Sequence, residues 1–185
     1  MQLKISGGNE LIDSYKLLAK GQIQQGFKVA DLGCGTSGHF VFPAARLVGE
    51  QGMIYAVDIL KSVLQNIENR ARMESLINVT TVWSDLEKVG AAKIDNSSLD
   101  LALFVNTLFQ IKDQQTAMRE AARLLKTGGY LIIGEWKMGN TPLGPSVEKR
   151  LAPDKAKVMA QAAGFGLVEE FEAGPYHYGL VFIKK

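Results

Sequence analysis

The chain has 185 residues, with 46% hydrophobic and 22% charged side chains and a formal net charge of +2. These are ordinary globular values, and they exclude a coiled coil, a collagen-like chain and a disordered tail. Cys34 is the only cysteine, so neither a disulfide framework nor a Cys-rich zinc site is expected, and no metal site is assigned. No apolar run approaches the roughly 18 residues of a membrane span and no signal-peptide pattern opens the chain, so a cytoplasmic protein is the expectation.

Residues 9–20 place Leu11, Tyr15 and Leu18 on one face and predict an amphipathic helix within an N-terminal helical segment, 1–24. Residues 27–32 read as a strand running into glycines. Phe40, Ala44, Leu47 and Val48 follow at helical spacing, with Pro43 at the start of the helix or kinking it. Residues 53–57 are an apolar strand ending at Asp58. Ser62 and Gln65 form a capping-box pattern that opens a helix to about Glu74. Residues 78–83 and 99–105 are strands three and four, the latter ending at Asn106. Asp113 caps a helix stopped by Thr127-Gly128-Gly129, and residues 130–136 form strand five. A loop rich in glycine and proline leads to a helix over 153–163. Two closing strands, about 167–171 and 178–183, are joined too closely to be parallel.

Strands alternating with helices, mostly as unbroken apolar runs, predict one domain over 1–185. Its fold class is α/β, doubly wound, with a mostly parallel seven-stranded sheet, one antiparallel strand and helices on both faces. In such sheets ligands bind at the carboxyl ends of the strands, near the switch point. That rule selects the residues after Leu32, Val57, Trp83, Val105 and Trp136.

The first strand ends in Asp31-Leu32-Gly33-Cys34-Gly35-Thr36-Ser37-Gly38. Glycines allow a tight turn and close ligand approach, and the following helix aims N–H groups at the same place. Asp31 opposes a pyrophosphate and favours a ligand carrying a positive group beside a negative one, as an amino-acid moiety does. Asp58 can accept from both hydroxyls of a ribose. Asp85, in Ser84-Asp85-Leu86, can accept from an adenine amino group between the apolar walls of Ile59 and Leu86; its local alternative is an N-cap. Asn106 can line the ligand or serve a turn.

These residues resemble the class I S-adenosylmethionine-dependent methyltransferases, with the small ubiquinone/menaquinone biosynthesis enzymes as the nearest flavour. The likeness runs from about Phe27 to Lys185 and includes Leu124-Leu125-Lys126-Thr127-Gly128-Gly129-Tyr130-Leu131. It implies a Rossmann-like methyltransferase fold with S-adenosylmethionine as cofactor and S-adenosylhomocysteine as product. It implies that Asp31 and the backbone of Gly33, Cys34 and Gly35 hold the methionine end. Asp58 would hold the ribose and Asp85 with Leu86 the adenine, with Ile59 as an apolar wall and Thr36, Ser84 and Asn106 as further cofactor contacts. The family turn is G-x-G-x-G, whereas Ser37 stands where its third glycine is expected and Gly38 follows. The spacing G-x-G-x-x-G keeps an NAD(P)-binding oxidoreductase or sensor as an alternative. A non-catalytic cofactor-binding partner subunit is a third reading.

Methyl transfer needs alignment and exclusion of water more than a fixed triad, so no catalytic residue is assigned. Acceptor contacts are expected from His39, Phe109, Trp136, Lys137 and His177, with 137–152 as a candidate substrate loop. Local structure is the ordinary role for His39 and His177, and packing for Trp136. Residues 137–157 hold five basic and two acidic side chains, which reads as a solvated face rather than a nucleic-acid patch. Asn106-Thr107-Leu108-Phe109 lacks the prolines of the family's base-amino enzymes. A small-molecule acceptor is expected, with protein or RNA left open and the oligomeric state unassigned.

Overall fold

The structure, a computed structural model, describes residues 11–139 and 141–185. The apolar runs become a seven-stranded sheet: β1 Lys28–Leu32, β2 Met53–Asp58, β3 Val79–Trp83, β4 Leu99–Val105, β5 Leu125–Trp136, β6 Phe165–Gly174 and β7 His177–Lys184. Their spatial order is β3-β2-β1-β4-β5-β7-β6. β1 to β5 run parallel, and β7 is antiparallel to both β5 and β6. The helices are α1 Ser14–Lys20, α2 Val41–Val48, α3 Lys61–Met73, α4 Gln114–Leu124 and α5 Pro153–Ala162.

Strands β1, β2, β4 and β5 distribute their buried side chains between two cores, as a sheet covered on both faces requires, while the edge strand β3 buries only Val82. One core joins α4 and α5 to Ala30, Leu32, Phe104, Ile133 and Phe182. The other joins α1, α2 and α3 to Val29, Ile54, Leu101, Leu103 and Ile132. The doubly wound arrangement is therefore as expected, and its direction reverses between β1 and β4. Crossovers leave the pair on opposite sides and a crevice opens at their carboxyl ends.

Four local expectations are corrected. Tyr15 is 51% exposed, and α1 instead buries Ser14, Leu17 and Leu18 behind an Asp13 cap that accepts the Lys16 N–H at 3.1 Å. Asn9 and Glu10 lie outside the described residues. Ser62 and Gln65 do not cap α3: the Asp58 carboxylate takes the Leu60 N–H at 2.9 Å, so the helix starts at Lys61 and swallows the motif. β5 starts at Leu125 rather than Tyr130, because Leu125 pairs with Leu99 as soon as α4 ends; Thr127-Gly128-Gly129 lies within the strand. The closing strands are also longer than expected, with irregular register between Leu167 and Glu169 and between Glu172 and Gly174.

Candidate active site

A cavity of about 500 Å³ occupies the crevice at the strand tips. Residues from four successive strand ends line it: Gly33, Gly35, Thr36 and Ser37 after β1; Asp58, Ile59 and Leu60 from β2; Ser84 to Glu87 after β3; Thr107, Gln110 and Ile111 after β4. Its size is that of a site for a cofactor or a drug-sized ligand.

The glycine turn is shaped by two distinct demands. Gly33 has φ +86°, and a Cβ there would stand 2.4 Å from the Thr107 Cγ2, so β1 and β4 meet only over glycine. Its N–H and that of Cys34 both donate to the Val57 carbonyl, at 2.8 and 3.0 Å, which fastens the turn to β2. Gly38 is a packing glycine: a Cβ would meet Ile67 and Phe42 at 2.6 Å, and the residue does not reach the cavity. The second half of the G-x-G-x-x-G spacing thus fits α2 against α3, while Thr36 and Ser37 face the cavity.

Asp58 is braced from both sides. One carboxylate oxygen accepts the Leu60 N–H and the other the Gly35 N–H at 3.2 Å. The acid is fixed at the cavity wall before any ligand arrives. Ser84 donates its N–H to the Asp58 carbonyl at 3.1 Å, is 1% exposed, and leaves its hydroxyl without a partner among the described residues. Asp85 serves as a local cap as well as a lining residue. Its carboxylate accepts the Glu87 N–H at 3.0 Å and pairs with Lys88, which hold it below the usual carboxylate range. Leu86 is a buried wall opposite Ile59 and Val63. Glu87 accepts the N–H groups of Lys112 and Asp113, joining the β3 and β4 loops across the rim.

Three of the expected cofactor residues do not line the cavity. Asp31 is 2% exposed near the end of β1, with one carboxylate oxygen unpartnered among the described residues. Burial, with a smaller push from the Asp58 charge, raises its carboxyl to about 7. Cys34 points into the core with α2, and burial pushes its thiol well above the ordinary range. Asn106 is buried with φ +54°, donates its N–H to the Gly134 carbonyl and accepts from Gln110 Nε2 at 2.7 Å.

None of the five acceptor candidates lines the cavity either, and the structure scatters them. The His39 ring bonds the Ile12 carbonyl at 2.8 Å and stands edge-on to Phe40, a tie between the chain's start and α2. Phe109 is half-buried against the α4 side of the sheet. Lys137 pairs with Glu172 and the Pro175 carbonyl. Trp136 and His177 meet at the tips of β5 and β7, ring centroids 4.2 Å apart.

Sequence reasoning passed over Glu135, although an acid inside the apolar run Ile132-Ile133-Gly134-Glu135-Trp136 is a visible signal. It is fully buried and accepts the Phe109 N–H at 3.3 Å, so it holds the turn that carries Thr107 and Gln110 into the cavity. Burial lifts its carboxyl to about 8 against the opposing effect of the backbone N–H groups of residues 107–109 and Trp136. Val63, Thr107, Gln110 and Ile111 were also missed; only the folded crossovers bring them to the rim.

A methyltransferase-domain family model matches residues 23–171. Human arsenite methyltransferase is 33% identical over 113 residues, covering 58% of this chain and 30% of that protein. The ubiquinone/menaquinone biosynthesis C-methyltransferase UbiE of Laribacter hongkongensis is 30% identical over 141 residues, covering 76% of this chain and 56% of that one. The chain thus spans about a third to just over half the length of these curated relatives. A SAM-dependent methyltransferase from Aquifex aeolicus superposes with a TM-score of 0.87 at 23% identity, over 97% of this chain and 93% of that one, a likeness of fold.

Proposed function

From the premise that the chain belongs to the methyltransferase-domain family, we propose that it transfers a methyl group from S-adenosylmethionine to a small-molecule acceptor. The observation that carries this reading is the charge of the cavity. Asp58, Asp85 and Glu87 line it, and among the described residues no lysine or arginine does. A dinucleotide's pyrophosphate would be repelled there, whereas a sulfonium and an ammonium are attracted. The same charge pattern argues against the oxidoreductase alternative that the Gly38 spacing raised.

The residues present fit the donor. Gly35 faces open space at φ +65°, leaving room for a ligand beside its backbone. Asp58, already oriented by two N–H groups, offers its remaining lone pairs to ribose hydroxyls. Ile59 and Leu86 supply apolar faces for adenine, and the Ser84 hydroxyl and Asp85 carboxylate supply polar edges. The unpartnered Asp31 oxygen answers to an ammonium reaching past the glycine turn. S-Adenosylmethionine, when bound, supplies an electrophilic methyl on a sulfonium, the carbon–sulfur pair returning to sulfur as the acceptor's lone pair takes the carbon. The protein's part is to fix that carbon, shut out water and leave one approach open.

Within this reading an organic nucleophile is favoured over arsenite as the acceptor. A soft arsenic centre calls for thiolates, and the chain's one thiol is buried and held protonated. No helix of the described residues is long and apolar enough to cross a membrane, and a cytoplasmic setting stays part of the proposal. The test is turnover: a labelled methyl donor offered with a panel of phenols, enols, carboxylates and amines. Label transferred to one chemical class, and lost in Asp58→Ala, supports the reading. Tight donor binding without transfer to any panel member would favour the partner-subunit reading.

A further inference from the structure

Beyond the cavity, unsatisfied polar atoms gather where β5 ends and β7 begins. Trp136 and His177 face each other in the antiparallel register. They are 3% and 0% exposed, yet among the described residues the indole Nε1 and both imidazole nitrogens have no hydrogen-bond partner. Such groups are costly to bury unpaired. Burial, with the positive charges of Lys137 and Arg150, keeps the imidazole neutral, its value lowered to about 4. The pair therefore offers two N–H donors and one acceptor.

Arg150 adds charge to the same place. It is 8% exposed and its guanidinium stands 5.8 Å from the Trp136 ring centroid. Its bonds go to the carbonyls of Lys137, Gly139, Leu143 and Pro145 and to the Thr141 hydroxyl, all neutral acceptors. Among the described residues no carboxylate pairs with it. Lys137 is matched by Glu172. Glu135 lies on the opposite face of β5 and, raised to about 8, is neutral at pH 7. Glu148, exposed on the same segment, feels the Arg150 charge only through space. The result is a buried positive charge that no carboxylate contacts directly among the described residues, beside unpartnered N–H groups.

We propose that Trp136, His177 and Arg150 form a receiving site for an anionic oxygen of the methyl acceptor, covered by a strap over residues 141–150. The proposal rests on the methyltransferase reading for the word acceptor. The site stands next to the cavity by construction. Val105 pairs with Gly134, and the Asn106 N–H bonds the Gly134 carbonyl at 2.8 Å. Trp136 is two residues beyond, and Thr107, two beyond Val105, lines the cavity. Neighbouring strands are about 4.8 Å apart, so the two sites flank one pair of strand tips. The strap lies directly on the indole, where a Cβ on Gly144 would be 2.6 Å from Trp136 Cε3. Arg150 grips it mainly by main-chain carbonyls, so the acceptor enters when that grip loosens.

The test uses the full chain saturated with S-adenosylhomocysteine, saturation being confirmed by calorimetry. Benzoate, 4-nitrophenolate and neutral benzamide are titrated while the two indole N–H signals are followed by NMR, with Trp83→Phe assigning them. We expect the anions, and not benzamide, to move the Trp136 signal saturably while Trp83 stays still. Binding of benzoate alone assigns the site to a carboxylate, of 4-nitrophenolate alone to a phenolate or enolate. Arg150→Gln should weaken the anion at least tenfold and leave S-adenosylhomocysteine affinity within twofold; Arg150→Lys, which keeps the charge, should retain the preference. Equal shifts with benzamide, or no shift with any probe, would overturn the proposal using the unaltered protein alone. Failure to bind S-adenosylhomocysteine would instead overturn the donor reading.

Discussion

Asp58 carries the heaviest demand of any single residue. Its carboxylate orders the start of α3 through Leu60 and the glycine turn through Gly35. Asp58→Ala should weaken S-adenosylhomocysteine by about 1 to 3 kcal/mol, the loss of charge-assisted hydrogen bonds; unaltered affinity in calorimetry would remove the ribose from this wall. Asp31 predicts a proton linkage. Its carboxyl ordinarily ionises near 3.8 but holds its proton to about 7 in the fold. A cationic ligand favours the ionised form, so binding below pH 7 should release a proton and affinity should rise with pH through that range. Calorimetry in buffers of different ionisation enthalpy reads the release directly, and Asp31→Asn should abolish it. Stability runs the other way. Between about 4 and 8 the folded state binds more protons than the unfolded one at Asp31 and Glu135, so ligand-free stability should fall as pH rises across that window. Denaturant midpoints that rise over the same interval would contradict both assignments.

The elements divide into those whose boundaries follow from local chemistry and those set by pairing. Strands β2 and β4 and the Asp113 cap were legible because apolar runs and a capping acid act on their immediate neighbours. The start of α3 was not, because the acid that organises it lies before the helix and the Ser62–Gln65 pattern competes for the same reading. Ser62→Ala should therefore change stability by less than about 0.5 kcal/mol, the range for a surface change away from special features; a drop of the size lost with a true cap would restore the motif. The long β5 was hidden as well, since only the approach of Leu99 shows that Leu125 already pairs, ahead of an irregular register before Tyr130. Gly33 is the reverse case: its need for glycine was visible, while its reason, Thr107 at 2.4 Å from any Cβ, was not. Gly33→Ala should cost about 2 kcal/mol from positive-φ strain and crowding, read as a lower melting temperature. The candidate site was legible where a strand tip bears its own acid, at Asp58 and Asp85. It was illegible at Thr107 and Gln110, which the Glu135-held turn carries into the cavity.

At the scale of the molecule, the strand order does two things with one chain reversal. Parting of the crossovers between β1 and β4 opens a cavity whose walls are acidic, and the antiparallel return of β7 sets His177 beside Trp136 at the same edge of the sheet. The alternation of strands and helices was enough to expect that sheet. The charge of the cavity was not countable from a chain whose net charge is +2, because it depends on which carboxylates converge. That acidity favours a sulfonium donor over a dinucleotide, although the G-x-G-x-x-G spacing of this chain is the dinucleotide one. The most direct measurement is equilibrium titration of the purified chain with S-adenosylhomocysteine and, separately, with NAD(H). Saturable binding of S-adenosylhomocysteine with none of the dinucleotide is the predicted result; binding of the dinucleotide alone would contradict the account.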